Sequence, residues 1–294
     1  SFTLNSQLRM QGNARYAMWG IISGALLNVV LDPILIFACN LGLRGAALAT
    51  VIGQLVSVAI LLAMCHFRAT AGVRLRPRFF SLHWHYVREI VYGGSPSLSR
   101  QGLASISVIL LNVAAAGYGD AAVAAMSIVS RVTMFVMAVI VGLGQGFQPF
   151  CGYCYGAALY NRLRHGFWFT VRVGFVFLLC FSAFFFCFAE QTIAVFRDDA
   201  IVIAVGSTAL RWHLAVYPLN AYIMAGNMML QTTRRPLRAN VLSSARRGLV
   251  FIPFILILPH LFGLMGIAMC QAVCDVVTFI IAIPIVRSAF REMT

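Results

Sequence analysis

The sequence predicts an all-α protein that crosses a lipid bilayer several times, and three observations support this prediction. Apolar residues make up 61% of the 294 positions and charged residues only 10%, against roughly 25% in an average soluble domain. Long apolar runs recur along the chain, and arginine is concentrated in every second connection between them. A water-soluble fold could not cover its surface with so few charges, so a membrane is the expected surrounding.

Eight apolar runs of about 20 or more residues are each long enough to cross about 30 Å of hydrocarbon as a helix. Glycine, proline and arginine clusters bound the runs, and the prolines inside them are compatible with membrane helices. The predicted spans are residues 16–38, 45–67, 88–116, 121–147, 166–188, 202–228, 239–259 and 264–287.

The arginines predict the orientation of these spans. All 22 basic residues are arginine, and eight acids oppose them, for a formal charge of +14. Connections on one side carry fourteen arginines, whereas those on the other carry only Arg44 and Arg197. Because positively charged loops stay in the cytoplasm, both ends of this chain are predicted to be cytoplasmic. The asymmetry explains the basic composition, so no nucleic-acid partner is expected.

An internal repeat indicates a two-lobe architecture. Residues 42–47 (GLRGAA) resemble residues 263–268 (GLMGIA) at an offset of 221 positions. The first two spans therefore look like a second copy of the last two, in the same orientation. Such a parallel repeat is one of the standard architectures of membrane transporters.

The repeat also predicts the domain organisation. We expect residues 1–67 to be the last two helices of an N-terminal lobe and 68–87 to be a basic cytoplasmic linker. Residues 88–294 would then form a six-helix C-terminal lobe. By symmetry, the eight transmembrane helices belong to a twelve-helix (6+6) transporter, with four further helices before Ser1.

Asp32 is the most informative polar residue. It lies about six residues from the outer end of its span, roughly 9 Å deep, where an unpaired carboxylate is costly. Asn28 precedes it by one helical turn, and the short connection to the next span brings Thr50 to a similar depth. The three residues supply oxygen ligands that suit a proton-linked network or a hard cation such as Na⁺. The alternative is a helix kink at Pro33, where the carboxylate satisfies freed backbone donors.

A second set of charges lies deeper. Asp275 is near the middle of the last span, and Arg131 and Arg100 are at similar depth on other helices. Gln54 occupies the position of Asp275 in the repeat. Two interpretations stay open: a buried ion pair, with Arg131 as the expected partner of Asp275, or a set of groups that line the substrate path.

The sequence gives little support for an enzyme. It contains no phosphate-binding loop, no nucleophile near a base and no metal-ligand spacing beyond a solitary CxxC at Cys151 and Cys154. Twelve methionines and 12% aromatic residues instead provide an adaptable apolar surface for amphipathic compounds.

Several stretches resemble the MATE family of multidrug and toxic-compound extrusion transporters, especially its MepA-type branch. They are residues 27–34 (LNVVLDPI), 45–50 (GAALAT), 94–101 (GSPSLSRQ), 118–122 (YGDAA), 144–149 (GQGFQP) and 155–157 (YGA). The resemblance implies twelve helices in two lobes and outward drug transport coupled to H⁺ or Na⁺ entry.

The resemblance also implies roles for individual residues. Asn28, Asp32 and Thr50 match the cation-site motif of the family's N-terminal lobe, whose partner aspartate would lie before Ser1. Ser105 and Asn220 stand roughly where some members carry acids in the C-terminal lobe. A carboxylate pair at those positions is therefore not expected here, and Asn220 joins the candidates for the substrate path.

The leading functional hypothesis is secondary active export of cationic or amphipathic compounds from a bacterial cell. The expected protein is monomeric, lies in the plasma membrane, and needs no cofactor beyond H⁺ or Na⁺ as the coupling ion. One alternative is a flippase for lipid-linked saccharides, which should present several arginines to a central cavity. The candidates for that role are Arg100, Arg131, Arg211, Arg246 and Arg247. A non-transporting membrane fragment or assembly subunit is the other alternative.

Overall fold

The computed structural model describes residues 2–67 and 83–293, and every regular element within these ranges is helical. The chain divides into two compact units, Ser1–Leu82 and His83–Thr294. Most of the predicted linker, residues 68–82, lies outside the described residues. Residues 84–87, predicted to belong to the linker, instead form the first turn of a helix.

The first unit contains three helices: α1 (Phe2–Met10), α2 (Ala14–Pro33) and α3 (Gly42–Phe67). A π-helical turn, Ile34–Ala38, continues α2 beyond its proline. α2 and α3 form an antiparallel hairpin, and α1 packs against both helices. The small core of this unit consists of Leu8, Ala17, Leu61 and Cys65.

The second unit is a bundle of nine helices among the residues described there. They are α4 (Trp84–Ala116), α5 (Asp120–Gly156), α6 (Tyr160–Cys187), α7 (Ala189–Phe196), α8 (Ala200–Val216), α9 (Asn220–Thr232), α10 (Pro236–Ser244), α11 (Phe251–Phe262) and α12 (Leu264–Arg291). α5 packs against α6, α8 and α9, while α12 packs against α8, α9 and α11. Both α5 and α12 therefore pack along the broken helix α8–α9.

Eight helical segments in the described ranges are long and apolar enough to cross a membrane, which confirms the predicted eight spans. They are Ala14–Ala38, Gly42–Cys65, Trp84–Ala116, Asp120–Gly156, Tyr160–Cys187, Ala200–Thr232, Pro236–Phe262 and Leu264–Arg291. Several segments extend past the predicted ends, since α4 begins four residues earlier and α6 six residues earlier. Hydropathy identifies the part that crosses hydrocarbon, whereas backbone hydrogen bonding carries the helix further into polar sequence.

Two spans of the second unit are interrupted close to the buried residue Asp275. A 3₁₀ turn, Tyr217–Leu219, separates α8 from α9, because Pro218 has no N–H to continue the α-helical ladder. The Tyr217 hydroxyl fixes this break by donating to the Thr133 carbonyl at 2.6 Å. A π-helical turn, Ala245–Leu249, joins α10 to α11. Both interruptions lie next to residues that surround Asp275.

Candidate functional site

Close packing of α2 and α3 brings two predicted site residues together. A Cβ atom on Gly24 would lie only 2.6 Å from the Gly53 carbonyl oxygen, so the backbones can approach this closely only because both residues lack side chains. One turn further along the hairpin, the Asn28 Nδ2 donates to Thr50 Oγ1 at 3.5 Å. The Thr50 hydroxyl in turn donates to the Ala46 carbonyl at 3.0 Å.

Asp32 lies one helical turn beyond Asn28 and is half-buried. Its Oδ1 atom is buried without a hydrogen-bond partner, and in the described part of the chain no residue forms an ion pair with it. The carboxylate therefore does not act as a cap for backbone donors freed at Pro33. A shielded oxygen with no protein donor is a position where binding of a proton or a hard cation is favourable.

Asp275 has the opposite environment, because protein donors surround it completely. The side chain is fully buried, and Arg246 donates from Nε to Oδ1 at 2.7 Å and from Nη2 to Oδ2 at 3.4 Å. Asn220 Nδ2 donates to Oδ2 at 2.8 Å, and Gln271 Nε2 donates to Oδ1 at 3.2 Å. His213 Nε2 lies 3.8 Å from Oδ2 and would add an ionic contact if protonated.

This cluster joins three helical segments through one carboxylate. Asn220 begins α9 directly after the 3₁₀ turn, Arg246 belongs to the π-helical turn, and Asp275 lies on α12. Buried charges are tolerated when they are paired and hydrogen-bonded, and removal of one partner strands the other. The arrangement therefore holds these three segments together through buried hydrogen bonds and an ion pair.

The partner of Asp275 differs from the one expected from the sequence. Arg131 is exposed on α5, and Arg246 forms the bidentate contact instead. Depth along a helix fixes one coordinate of a side chain, whereas its angle around the helix axis decides which neighbour it reaches. Gln54, the repeat counterpart of Asp275, is exposed on α3.

A cavity of about 500 Å³ lies within the second unit. Its polar lining includes Arg100, Arg246, Arg247, Gln145 and Asn227. An adjoining cavity of about 200 Å³ shares Arg246 and Arg247 with it. The structure thus gathers at one place three of the five arginines proposed for a central cavity, and neither Arg131 nor Arg211 lines either cavity.

Two of these arginines have no carboxylate to balance them. The Nη1 atom of Arg100 is buried without a hydrogen-bond partner. Arg247 forms no ion pair with a described residue, and its carbonyl oxygen accepts a short hydrogen bond from the Ser107 hydroxyl. The sequence signal for these unbalanced arginines is the adjacent pair Arg246 and Arg247 inside an apolar span. Among the described residues of the second unit, Asp275 on the next span is the one acid at comparable depth.

A larger cavity of about 680 Å³ lies elsewhere in the second unit, between α6, α9 and α12. Its lining combines aromatic side chains such as Trp168 and Tyr222 with Arg164, Arg287 and Arg291. None of the predicted site residues lines this cavity, so it is separate from the surroundings of Asp32 and from those of Asp275.

Comparison with known proteins identifies the family. The profile of the MatE family matches residues 96–257, which is more than half of the chain and includes α5 to α10 entirely. The chain belongs to the MatE family. The matched range contains Arg100, Asn220, Arg246 and Arg247, so most of the polar centre of the second unit lies inside the MatE match.

Relatives of this MatE chain include proteins named multidrug export protein MepA. The protein from Staphylococcus saprophyticus is 28% identical over 295 residues, which cover 97% of the chain and 62% of that relative. The protein from Staphylococcus aureus is 28% identical over 267 residues, which cover 90% of the chain and 58% of that relative. The chain thus spans about three-fifths of the length of these curated relatives.

Solved structures share the MatE fold. A MOP superfamily transporter from Pyrococcus furiosus, described as having a binding pocket of reverse polarity, superposes with a TM-score of 0.91 at 25% identity. The match covers 99% of this chain and 66% of that one. An outward-facing multidrug resistance MATE family transporter also reaches a TM-score of 0.91 at 25% identity. These neighbours are twelve-helix membrane transporters, so the MatE chain is a multi-pass membrane protein.

Within the described ranges, the CxxC pair of the MatE chain adds no metal or disulfide site to the residues around Asp32 and Asp275. Cys151 and Cys154 are both buried and free on α5. In residues 2–67 and 83–293, no group of three or more His, Cys, Asp or Glu side chains has the arrangement of a metal site.

Proposed function

We propose that this MatE chain works in a secondary active exporter of amphipathic compounds that is driven by entry of H⁺ or Na⁺. The relatives named multidrug export protein MepA support the transport class, at 28% identity over nearly the whole chain. The chain spans about 62% of that relative. Of the cationic and amphipathic compounds expected from the sequence, the arginine-lined cavity favours the amphipathic class.

The observation that carries the coupling proposal is the environment of Asp32. Its Oδ1 is buried without a donor, and Asn28 and Thr50 lie at the preceding turn of the same hairpin. A proton or Na⁺ would supply the missing partner and so favour the conformation in which Asp32 is most shielded. A ligand that binds one of two conformations better shifts the equilibrium between them, which is the requirement for antiport.

Efflux measurements on the natural protein test this proposal. In proteoliposomes with an imposed H⁺ or Na⁺ gradient, Asp32→Asn should abolish gradient-driven efflux, because an amide neither releases a proton nor balances a cation. Asp198→Asn is the matched control, since Asp198 is exposed and joins no ion pair in the described ranges. Undiminished, gradient-dependent efflux by Asp32→Asn would exclude Asp32 as the coupling residue.

We also propose that the two units belong to the two lobes of the transporter, with both chain ends in the cytoplasm. The arginine distribution supports this orientation. Arg234 is exposed at a connection predicted to be cytoplasmic, whereas Asp198 is exposed at one predicted to be external. In intact cells, with the exposed native cysteines Cys39, Cys180 and Cys187 replaced by serine, an impermeant thiol reagent should label Asp198→Cys and spare Arg234→Cys. The reverse pattern would invert the orientation.

A flippase for lipid-linked saccharides is a second candidate, and one observation favours it. Arg100, Arg246 and Arg247 line one cavity, as expected for a protein that binds a pyrophosphate linkage. Proteoliposomes that contain a fluorescent polyprenyl-diphosphate saccharide distinguish the two functions. A flippase makes the outer-leaflet fluorophore accessible to a quencher, whereas an exporter of soluble amphiphiles leaves its distribution unchanged.

A further inference from the structure

We infer that the 500 Å³ cavity of the second unit binds the anionic head group of the transported amphiphile: a carboxylate, sulfonate or phosphate. This inference rests on the proposed transport function and adds the sign of the substrate charge. Arg100, Arg246 and Arg247 all line the cavity. Neither this cavity nor the adjoining one has an Asp or Glu among its lining residues.

The described acids of the second unit balance Arg246 but leave Arg100 and Arg247 without a carboxylate partner. Asp275 is the one acid in contact with the cluster, and its two oxygens are already bonded to Arg246, Asn220 and Gln271. The other acids that form ion pairs do so elsewhere: Glu89 with His85, Glu190 with Arg211, Asp199 with Arg197, and Glu292 with Arg235 and Arg238. The three arginines of the cavity are therefore balanced by one carboxylate of the described chain, which pairs with Arg246.

Arg100 gives the strongest indication of a missing ligand. It lies sixteen residues from either end of α4, which places its charge far from both ends of that span. Its Nη1 is nevertheless buried without an acceptor in the described part of the protein. Arginine inside a membrane protein normally pairs or marks a substrate path, and a guanidinium group suits planar oxyanions that accept two hydrogen bonds.

The rest of the cavity wall suits the apolar body of such a compound. Met134, Met137 and Met224 line the cavity together with Ile223 and Val141. Methionine side chains are unbranched and polarisable, so they adapt to apolar groups of different shape. An organic cation would gain the same apolar contacts but would meet two arginines, Arg100 and Arg247, that no described carboxylate balances. The cavity should therefore discriminate between compounds by charge.

Equilibrium binding of two dyes with the same fluorophore tests this discrimination. The natural protein in nanodiscs of zwitterionic lipid is titrated with 1-pyrenebutyrate and with 1-pyrenebutyltrimethylammonium, without any ion gradient. We expect the anion to bind about tenfold or more tightly than the cation, because two charge-assisted contacts are gained rather than lost. Equal affinities, or tighter binding of the cation, would overturn the inference.

Variants locate the binding site. Arg100→Gln and Arg247→Gln should each weaken pyrenebutyrate binding about tenfold and leave binding of the cation unchanged or stronger. Arg172→Gln is the matched control. Arg172 is an exposed arginine within a membrane span, and its side chain lines none of the three cavities described. Arg100→Lys keeps the charge but loses the paired guanidinium donors, so its affinity should lie between those of the natural protein and Arg100→Gln. Loss of anion binding in the control, or none in Arg100→Gln and Arg247→Gln, would contradict the site.

Two competitors distinguish the sources of the anionic group. Displacement of pyrenebutyrate by undecaprenyl phosphate but not by octanoate indicates a lipid-linked head group, whereas the reverse indicates a soluble organic acid. Both results support an anion site, and displacement by neither overturns it. Because binding is measured without a gradient, undiminished efflux by Asp32→Asn would refute the coupling proposal without affecting this result, so the two proposals fail independently.

Discussion

Two hairpins of this molecule share a backbone design but differ in their polar groups. Gly42, the first residue of α3, and Gly263, just before α12, both have positive φ, at 52° and 58°, and they stand 221 positions apart. Three residues later, Gly45 and Gly266 pack against backbone carbonyls of the preceding helix, those of Leu35 and Leu258. The predicted repeat is thus visible in the backbone of both hairpins.

The carboxylates on these two scaffolds have different surroundings. Asp32 keeps a buried oxygen without a donor, whereas Asp275 receives hydrogen bonds from Arg246, Asn220 and Gln271. A carboxylate that protein donors have saturated can exchange a proton or a cation only by breaking those bonds. Under the proposed function, Asp275 therefore has a structural role, whereas Asp32 exchanges the coupling ion.

The largest expected effect is on stability. Asp275→Asn should lower the free energy of unfolding by about 3–5 kcal/mol, because it strands the buried Arg246. Asp32→Asn should cost little or even stabilise, because it removes an unpaired charge. Thermal unfolding of both variants in detergent measures the contrast, and adding Arg246→Gln to Asp275→Asn should restore part of the loss. Equal losses in both single variants would remove the distinction between the two carboxylates.

A smaller effect should be equal in the two hairpins, because it concerns the shared backbone. A Cβ atom at Gly45 would lie 2.5 Å from the Leu35 carbonyl oxygen, and one at Gly266 would collide with that of Leu258. Gly45→Ala and Gly266→Ala should each cost about 1–3 kcal/mol, since a carbonyl cannot rotate away as a flexible side chain can.

Gly93→Ala is the control, since nothing lies within 4 Å of its added Cβ, and it should stabilise α4 slightly. The unfolding midpoints of Gly45→Ala, Gly266→Ala and Gly93→Ala show whether the stability loss comes from the close helix contacts. A destabilised Gly93→Ala would show that the loss does not come from helix contact.

Asn28 and Thr50 should affect transport far more than stability. Their 3.5 Å hydrogen bond is at the long limit, and Thr50 is exposed, so Asn28→Ala should cost about 0.5 kcal/mol or less. If both residues support the ion near Asp32, Asn28→Ala and Thr50→Ala should reduce gradient-driven efflux without abolishing it. Normal efflux with both substitutions combined would restrict the coupling site to Asp32.

The smallest expected effect concerns pH and the end of α12. Arg238 donates to Glu292 at 2.6 Å, and this bond holds the pKa of Glu292 below its usual range, with Arg235 adding to the effect. A lowered folded-state pKa gives stability that is present at neutral pH and is lost as the pH falls through that pKa. The small difference in unfolding midpoint between the wild type and Glu292→Gln should therefore shrink once the pH falls below about 4.3, the ordinary pKa of glutamate, and vanish below the lowered pKa of the folded state. A difference independent of pH would exclude this ion pair as its source.

The sequence predicts the eight spans well, because apolar length is a direct physical requirement for crossing hydrocarbon. It also predicts that Asn28 and Thr50 lie at one depth, since a short connection constrains the register of the hairpin. It does not predict that Arg246 rather than Arg131 reaches Asp275. That choice depends on helix rotation and on a π-helical turn, for which residues 245–249 give no distinctive signal. Hydropathy likewise misses the extra turns at the starts of α4 and α6.

The π-helical turn Ala245–Leu249 changes how this protein tolerates insertions and deletions. Such a turn holds one residue more than an α-helical turn, so it rotates everything beyond it by about 100°. Gly248 lies beside Leu103, where an added Cβ would lie only 2.8 Å from a methyl carbon of the leucine side chain. Loss of a single residue here would leave the length and hydropathy of the span almost unchanged, yet it would turn either α11 or the arginine pair away from its neighbours. In a sequence alignment, a one-residue gap across this segment therefore indicates that the relative presents a different face of the helix to its neighbours.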